Sequence, residues 1–276
     1  MKRIKNTLLI SLLFFCMNNL NAQGFYISTN AGYAFGINST SDFLQNRSYT
    51  GSSNEQTGEF SFIEEYSSVP FSLGKGANFG ISVGYMFNDF VGLDLGVSYL
   101  YGGTSEAINQ SYDKRTYGNG DIIIRESKGV TSFYSKMRRI IPSVVLSPNF
   151  QKWNPYTRIG VVIGIGSFNT DYESNFDDIN GVANALSKKS EFKEGIAVGF
   201  NAAIGLNYVL NEKISLFGEA NFIGMSYEPL KWNQTEYILN GVDQLPQTNV
   251  YSKEVDYVDS YVYNRSAVNY DEPRKE

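Results

Sequence analysis

Residues 78–101 read NFGISVGYMFNDFVGLDLGVSYLY, and bulky apolar residues alternate there with tiny or polar ones. The odd positions are apolar from Phe79 to Phe87, and they are apolar again from Val91 to Tyr101, after a short turn at Asn88-Asp89-Phe90. A period of two residues is typical of β-strands. The stretch therefore predicts a pair of strands joined by a tight turn.

The side chains on the two faces of this hairpin are distributed by size in the opposite way to those of a small soluble barrel. A small soluble barrel fills its interior with large side chains, and the glycines and serines of the even positions cannot do so. The large face is therefore expected to look outward, where only lipid tolerates a continuous apolar surface. The hairpin predicts part of a transmembrane up-and-down antiparallel β-barrel in an all-β protein.

The same alternation recurs along the chain and predicts seven strands in all. Further strands are expected from Phe25, Ile159 and Ile196, and less regular ones within residues 131–147 and 214–227. Pro142 lacks the N–H that a ladder hydrogen bond requires, so we expect a bulge or a local distortion near it.

The connections between these strands alternate in length. Residues 88–90, 147–154 and 211–212 are short, whereas residues 37–75, 102–130 and 169–190 are long and polar. Short periplasmic turns opposite long extracellular loops are typical of outer-membrane barrels. Asn119-Gly120 and Asn240-Gly241 are turn signals, so the long loops are expected to extend as hairpins above the membrane.

The N-terminus predicts export. Lys2, Arg3 and Lys5 precede an apolar run, and a small-residue cleavage site follows it after Ala22, which is the pattern of a secretory signal peptide over residues 1–22. Its removal takes away Cys16, which leaves no cysteine for a disulfide, and it changes the formal charge from −5 to −8. That charge argues against a nucleic-acid partner.

The strand count is odd, whereas single-chain bacterial barrels close with an even number. Residues 23–227 are interpreted as the seven-stranded barrel with its long extracellular loops, in a fold that is nominally eight-stranded. The candidate for the closing strand is residues 255–263, but Asp259 falls on its apolar side and a charged tail follows it. We therefore interpret residues 228–276 as a long extracellular loop or an atypical last strand, and we expect the chain to stop before its closing strand.

The strands and the signal together resemble the outer-membrane β-barrel domain family, with its OmpA-like and small porin-like members. The residues that carry the resemblance are GISVGY at 80–85, GVVIGIG at 160–166 and GEAN at 218–221, within a region of about 24–227. The resemblance implies eight antiparallel strands, the last ending in an aromatic residue, and location in the outer membrane.

Catalysis is not expected, because the chain has no histidine. Barrel enzymes that work as acyltransferases, lipases or proteases generally use a histidine as the general base. Without histidine or a mature cysteine, zinc would be held poorly, and no cofactor or metal is predicted. Asp171, Glu173, Asp177 and Asp178 leave calcium as an alternative, although their spacing does not match an EF-hand loop.

Four charged residues fall on the small-residue face and are expected inside the lumen: Asp94, Arg139, Arg158 and Glu219. Unpaired charges in a narrow lumen would be costly, so we predict a salt-bridge network that fills the interior. A gate for small ions is the alternative interpretation. Lys136 and Arg138 have outward parity beyond Ile140, where they predict a rim that contacts lipopolysaccharide phosphates, with an ordinary solvated rim as the alternative.

These patterns favour an integral outer-membrane protein with a structural or surface-interaction role carried by its long loops. A small passive diffusion pore is the alternative, and a membrane-embedded enzyme is a third, weaker one. The expected partners are outer-membrane lipid and lipopolysaccharide, the periplasmic chaperones, the barrel-assembly machinery and an extracellular ligand bound by the loops. A monomer is expected.

Overall fold

The computed structural model describes residues 24–37, 45–148, 150, 152–178, 180–261 and 268–276. The signal-peptide prediction falls on residues 1–22 and so lies outside the described residues. The protein is all-β, with a 3-10 helix at Leu245–Gln247 and an α-helix at Val250–Lys253 as its helical elements among the described residues. The strands are β1 Phe25–Ala34, β2 Gln45–Asn54, β3 Glu59–Ser68, β4 Gly76–Met86, β5 Val91–Gly102, β6 Ser105–Thr116, β7 Ile122–Leu146, β8 Trp153–Asp177, β9 Ala183–Lys193, β10 Ile196–Val209, β11 Ser215–Tyr227, β12 Lys231–Leu239, β13 Val242–Asp243, β14 Glu254–Asp256 and β15 Arg274–Lys275.

Seven of these strands form an antiparallel meander in the order β1-β4-β5-β7-β8-β10-β11. Each of the seven segments predicted from the alternation contributes one strand to it. Their short connections lie together at one end of the sheet, which we call the turn end. Two of these turns are closed by asparagine, whose Oδ1 accepts from the backbone N–H of Val91 (for Asn88) and of Ile214 (for Asn211), each at 2.9 Å.

The solvent exposure of the side chains confirms that the large apolar residues lie on the outer face and the small ones on the inner face. Phe79 and Ile81 are 56% and 49% exposed on the outer face of β4, whereas Ser82 between Ile81 and Val83 is 2% exposed on the inner face. The outer faces of all seven strands carry exposed apolar side chains and form a continuous apolar belt. Such a belt is what a barrel presents to lipid.

The expectation of a bulge or a local distortion near Pro142 is confirmed in its second form, because the strand is locally distorted there without a bulge. Pro142 stays paired with Leu95 of β5, and the register toward β8 is the same before and after it. Only the pairs of Ile141 and Pro142 with β8 are missing from that ladder. The missing N–H of proline removes a hydrogen bond without requiring an inserted residue, so the register is kept.

The long connections are largely strands, in keeping with the expectation that they extend as hairpins. β7 and β8 have 25 residues each and continue about 80 Å as strands, far past the apolar belt. Beyond the belt the sheet is ordered β3-β2-β6-β7-β8-β9-β12-β14-β15. We call this region, at the end opposite the turn end, the upper sheet.

Alternation did not predict the individual strands of the upper sheet, because most of its residues are polar on both faces. The turn signals were informative: the β6–β7 connection contains Asn119-Gly120, and Asn240-Gly241 joins β12 to β13. Asn240 and Gly241 both have positive φ, 52° and 78°, which a turn of this type requires.

The described part of the candidate closing strand, residues 255–261, does not close the sheet. Val255 lies in β14 and pairs with Trp232 of β12, and Val262 and Tyr263 lie outside the described residues. Within the described residues no pairing joins β1 to β11, so the 15-stranded sheet is open there. The described helices include none that is long and apolar enough to span a membrane.

The apolar belt makes a test of membrane insertion possible on a single strand. Ile163 and Glu173 share the outer face of β8, but Ile163 lies in the belt and Glu173 in the upper sheet. We expect Ile163→Arg to lower the free energy of unfolding in lipid by about 2–4 kcal/mol, because a cation is placed in hydrocarbon. Urea unfolding in bilayers, followed by tryptophan fluorescence, measures the change.

Glu173→Arg is the matched control for this substitution. It introduces the same side chain on the same face of the same strand outside the belt, and we expect little effect. Equal destabilisation by the two variants would contradict the location of the belt.

Candidate functional site

A cluster of charged side chains crosses the lumen near the turn end. Arg158 on β8 lies between two carboxylates: its Nη1 is 3.4 Å from Oδ1 of Asp94 on β5, and its Nε is 3.2 Å from Oε2 of Glu219 on β11. These three strands are not neighbours, so the ion pairs join separate parts of the wall. The side chain of Asp94 is 2% exposed and that of Arg158 12% exposed. We call this cluster the lumen brace.

Neutral hydroxyl groups complete the lumen brace. The hydroxyl of Tyr156 donates to Oε2 of Glu219 at 2.9 Å, and the hydroxyl of Ser82 donates to Oδ2 of Asp94 at 2.9 Å. The ring of Tyr156 lies over Gly205, where an added Cβ would meet it at 2.3 Å. Glycine on the inner face therefore leaves the space that lets this tyrosine reach the carboxylate.

Arg139 is the member of the predicted network that the structure does not bring to the other three. Its guanidinium donates to Oγ of Ser98 at 3.2 Å and to Oδ1 of Asn78, both neutral. Among the described residues it forms no ion pair. The reason is its height in the barrel: Asp94 is paired with Ser143, four residues from Arg139 along β7, which is about 13 Å.

Above Arg139 the lumen becomes apolar. Leu100, Met137 and Ala197 form a buried cluster on the inner face, and the ring of Tyr227 packs against it. Toward the upper sheet a second cluster follows, in which Phe133 is 5% exposed. The lumen is therefore filled at successive heights, first by charged and then by apolar side chains.

A short segment between β3 and β4 contributes to the upper cluster. Val69 is buried there, and Phe71 lies edge-on to Phe133 and Phe168, with ring centroids 5.8 and 5.7 Å apart. The hydroxyl of Ser135 donates to the carbonyl oxygen of Leu73 at 2.6 Å and fixes the segment to β7. We call residues 69–73 the plug. Sequence reasoning missed it within a long polar connection, although the apolar run VPFSL was an available signal.

The two cations predicted at the outer rim lie on the outer face of the sheet, as their even positions along the strand indicate. Lys136 and Arg138 are exposed on the outer face of β7, paired with Tyr101 and Tyr99 of β5. The Nζ of Lys136 is 5.5 Å from the centroid of the Tyr134 ring. Cations beside tyrosines at the upper edge of the apolar belt match the interface region of a membrane protein.

The inner face continues into the upper sheet and forms an open concavity of about 820 Å³, which we call the cup. A single row of cross-strand neighbours forms its floor. Tyr49 of β2 pairs with Ser111 of β6, Ser111 with Ser127 of β7, Ser127 with Phe176 of β8, and Phe176 with Asn184 of β9. Sequence reasoning missed the cup, because only the pairing of five strands brings these residues together.

Three side-chain contacts hold the walls of the cup. At β9, the Nδ2 of Asn240 donates to Oδ1 of Asn184 at 2.8 Å, so the β12–β13 turn is attached to the floor. Beyond Ser111, Asp113 accepts from both Arg125 and Arg115. Burial alone would raise the pKa of the Asp113 carboxyl, but these two guanidinium groups outweigh it and hold the pKa below its usual range.

The acidic run considered for calcium is dispersed. Asp177 accepts from the backbone N–H of Glu126 at 2.9 Å, and Asp178 accepts from those of Asn180 and Val182 at 2.7 and 2.9 Å. These carboxylates stabilise the sheet and its turn. In the part of the chain that the structure describes, no group of three or more potential metal-ligating side chains is found.

Comparison with known proteins gives one match. A family model described as outer membrane protein beta-barrel domain matches residues 7–250. Searches of curated proteins and of solved structures gave no match.

The lumen brace can be tested by removing its single cation. Arg158→Met is expected to lower the free energy of unfolding by about 3–5 kcal/mol, because it leaves the buried carboxylate of Asp94 without its charge partner. Trp153, at the turn end of β8, reports urea unfolding by fluorescence.

Arg138→Met is the control for this variant. It removes the same group from the exposed rim and is expected to change stability by less than about 1 kcal/mol. A loss for Arg158→Met no larger than that of the control would mean that the brace contributes little to stability.

Proposed function

The chain belongs to the outer-membrane β-barrel domain family and is thus an integral outer-membrane β-barrel protein, and we propose that its role is surface interaction through the upper sheet rather than diffusion of solutes. The family is generally non-enzymatic, and a chain without histidine fits a non-catalytic role. On this proposal the turn end faces the periplasm and the upper sheet faces the outside of the cell.

The observation that carries the proposal is the filled lumen. A solute would have to pass the lumen brace, the cluster of Leu100 and Met137, and the plug with Phe71. Opening such a path would break buried ion pairs and expose close-packed apolar side chains. The upper sheet, by contrast, is open to solvent and offers the cup.

Closure by an eighth strand is part of the proposal. β1 and β11 are the first and seventh strands of an antiparallel meander, so they run in the same direction. An open edge in hydrocarbon would leave backbone N–H and C=O groups without partners, at several kcal/mol for each group. One strand running the opposite way would satisfy both edges and give the even count of such barrels.

The remaining steps toward the membrane follow from the same proposal. Residues 1–22 direct export as a signal peptide, and periplasmic chaperones and the barrel-assembly machinery then bind the unfolded chain and insert it. A closed barrel of this kind is sufficient as a monomer.

The pore alternative makes a different prediction for ion conductance. We expect the full chain in a planar lipid bilayer to show no discrete conductance steps, and we expect the same of Phe71→Ala, because the brace and the Leu100 cluster remain. Phe62→Ala, on the exposed strand β3, is the matched control for the plug variant. Discrete steps in the unsubstituted protein that grow in Phe71→Ala but not in Phe62→Ala would establish the pore instead.

The rim of Lys136 and Arg138 is proposed to bind lipopolysaccharide phosphates. A cation near an anionic membrane surface is worth about 1 kcal/mol, so replacing both with serine should weaken binding by about 2 kcal/mol, or roughly 30-fold. Titration of lipopolysaccharide into the detergent-solubilised protein measures this. Lys114→Ser with Lys275→Ser removes two exposed cations away from the rim, and an equal loss in this control would mean that the rim has no special part.

A further inference from the structure

The cup carries a chemical character that the surface-interaction role does not by itself specify. Its floor row consists of two aromatic rings, Tyr49 and Phe176, and of the polar side chains Ser111, Ser127 and Asn184. No member of this row is charged. The volume of about 820 Å³ lies within the 300–1,000 Å³ that is usual for small-molecule sites.

Hydrogen-bonding groups in the floor are free for a ligand. Within the described residues, the hydroxyl groups of Tyr49, Ser111 and Ser127 form no hydrogen bond with other side chains or with the backbone. They come from the same face of three adjacent strands, and the Tyr49 hydroxyl lies over Gly51 of its own strand. Each can donate one hydrogen bond and accept others.

The charges around the cup are either turned away or neutralised. Glu126, Lys128 and Asp177 also border the cup, but on β7 and β8 they have the opposite parity to the floor residues Ser127 and Phe176. The charged groups that border the floor on the inner face are paired with each other: Asp113 with Arg125, and Glu64, the cross-strand partner of Tyr49, with Arg47. An anionic ligand such as a phosphate or a nucleic acid would find no free cation in the floor.

We propose that the cup binds a neutral saccharide. A sugar ring presents hydroxyl groups around its edge and an apolar C–H face, which match the free hydroxyls of Ser111 and Ser127 and the ring of Phe176. The proposal rests on the surface-interaction role, because the upper sheet must face the outside of the cell for glycans to reach it. The open shape predicts an affinity in the micromolar to millimolar range, since much of the ligand stays in solvent.

The test uses the full chain, refolded in lipid nanodiscs, on a microarray that carries neutral glucans, galactans and mannans beside sialylated and sulfated glycans. We expect binding to one or more neutral glycans, followed by titration with the corresponding free oligosaccharide. Phe176→Ala removes the stacking ring and should weaken binding at least tenfold. Tyr49→Phe keeps the ring and removes only a hydroxyl, so it should weaken binding a few-fold with little risk to the fold.

Phe87→Ala is the matched control, because it removes an exposed phenylalanine beside the turn that follows β4, at the opposite end of the sheet from the cup. The proposal is overturned if no neutral glycan binds, if only acidic glycans bind, or if Phe176→Ala and Tyr49→Phe bind as the control does. Conductance of the same preparation separates the two proposals. If the protein neither conducts ions nor binds glycans, only the saccharide proposal is contradicted. If it conducts ions and binds neutral glycans, only the proposal of a non-pore role is contradicted.

Discussion

Hydrocarbon offers no hydrogen-bonding partner to a peptide group, so the sheet must supply every partner itself. This constraint explains why seven strands pair in strict antiparallel register through the apolar belt, and why the loss of two pairs with β8, at Ile141 and Pro142, does not shift the register. It also sets the sizes of the side chains. With lipid outside, the large apolar residues face outward, and the narrow interior is left to glycine, serine and a few charged groups.

Those inner charges are stable because of how they are partnered. Arg158 meets two carboxylates, and the hydroxyls of Ser82 and Tyr156 occupy further acceptor positions on them. Arg139 is surrounded differently: Asn78 and Ser98 accept its hydrogen bonds without neutralising its charge. A buried cation with only neutral acceptors is the less stable arrangement, so Arg139 is less favourably partnered in the lumen than Arg158.

Sequence patterns were informative where one face met lipid, and silent where both faces met water. The alternation around Phe79 and Ile81 predicted strands, their facing and their number, because burial in lipid imposes a period of two. The same reasoning placed Asp94, Arg158 and Glu219 inside the lumen but could not give their heights, so it grouped Arg139 with them. β2 and β9 carry polar residues on both faces, and only their pairing partners reveal them as strands.

β7 shows how one strand joins these regions. From Ser143 to Arg125 its odd-numbered residues all lie on the inner face of the sheet. That one face therefore contacts the lumen brace, carries Met137 and Phe133 of the two apolar clusters, and contributes Ser127 to the floor of the cup. A continuous strand of 25 residues, paired on both sides along most of its length, leaves no hinge between the part in the membrane and the part above it. The cup is therefore held rigidly on the barrel, and a ligand bound there meets a preformed surface, which lowers the entropic cost of binding.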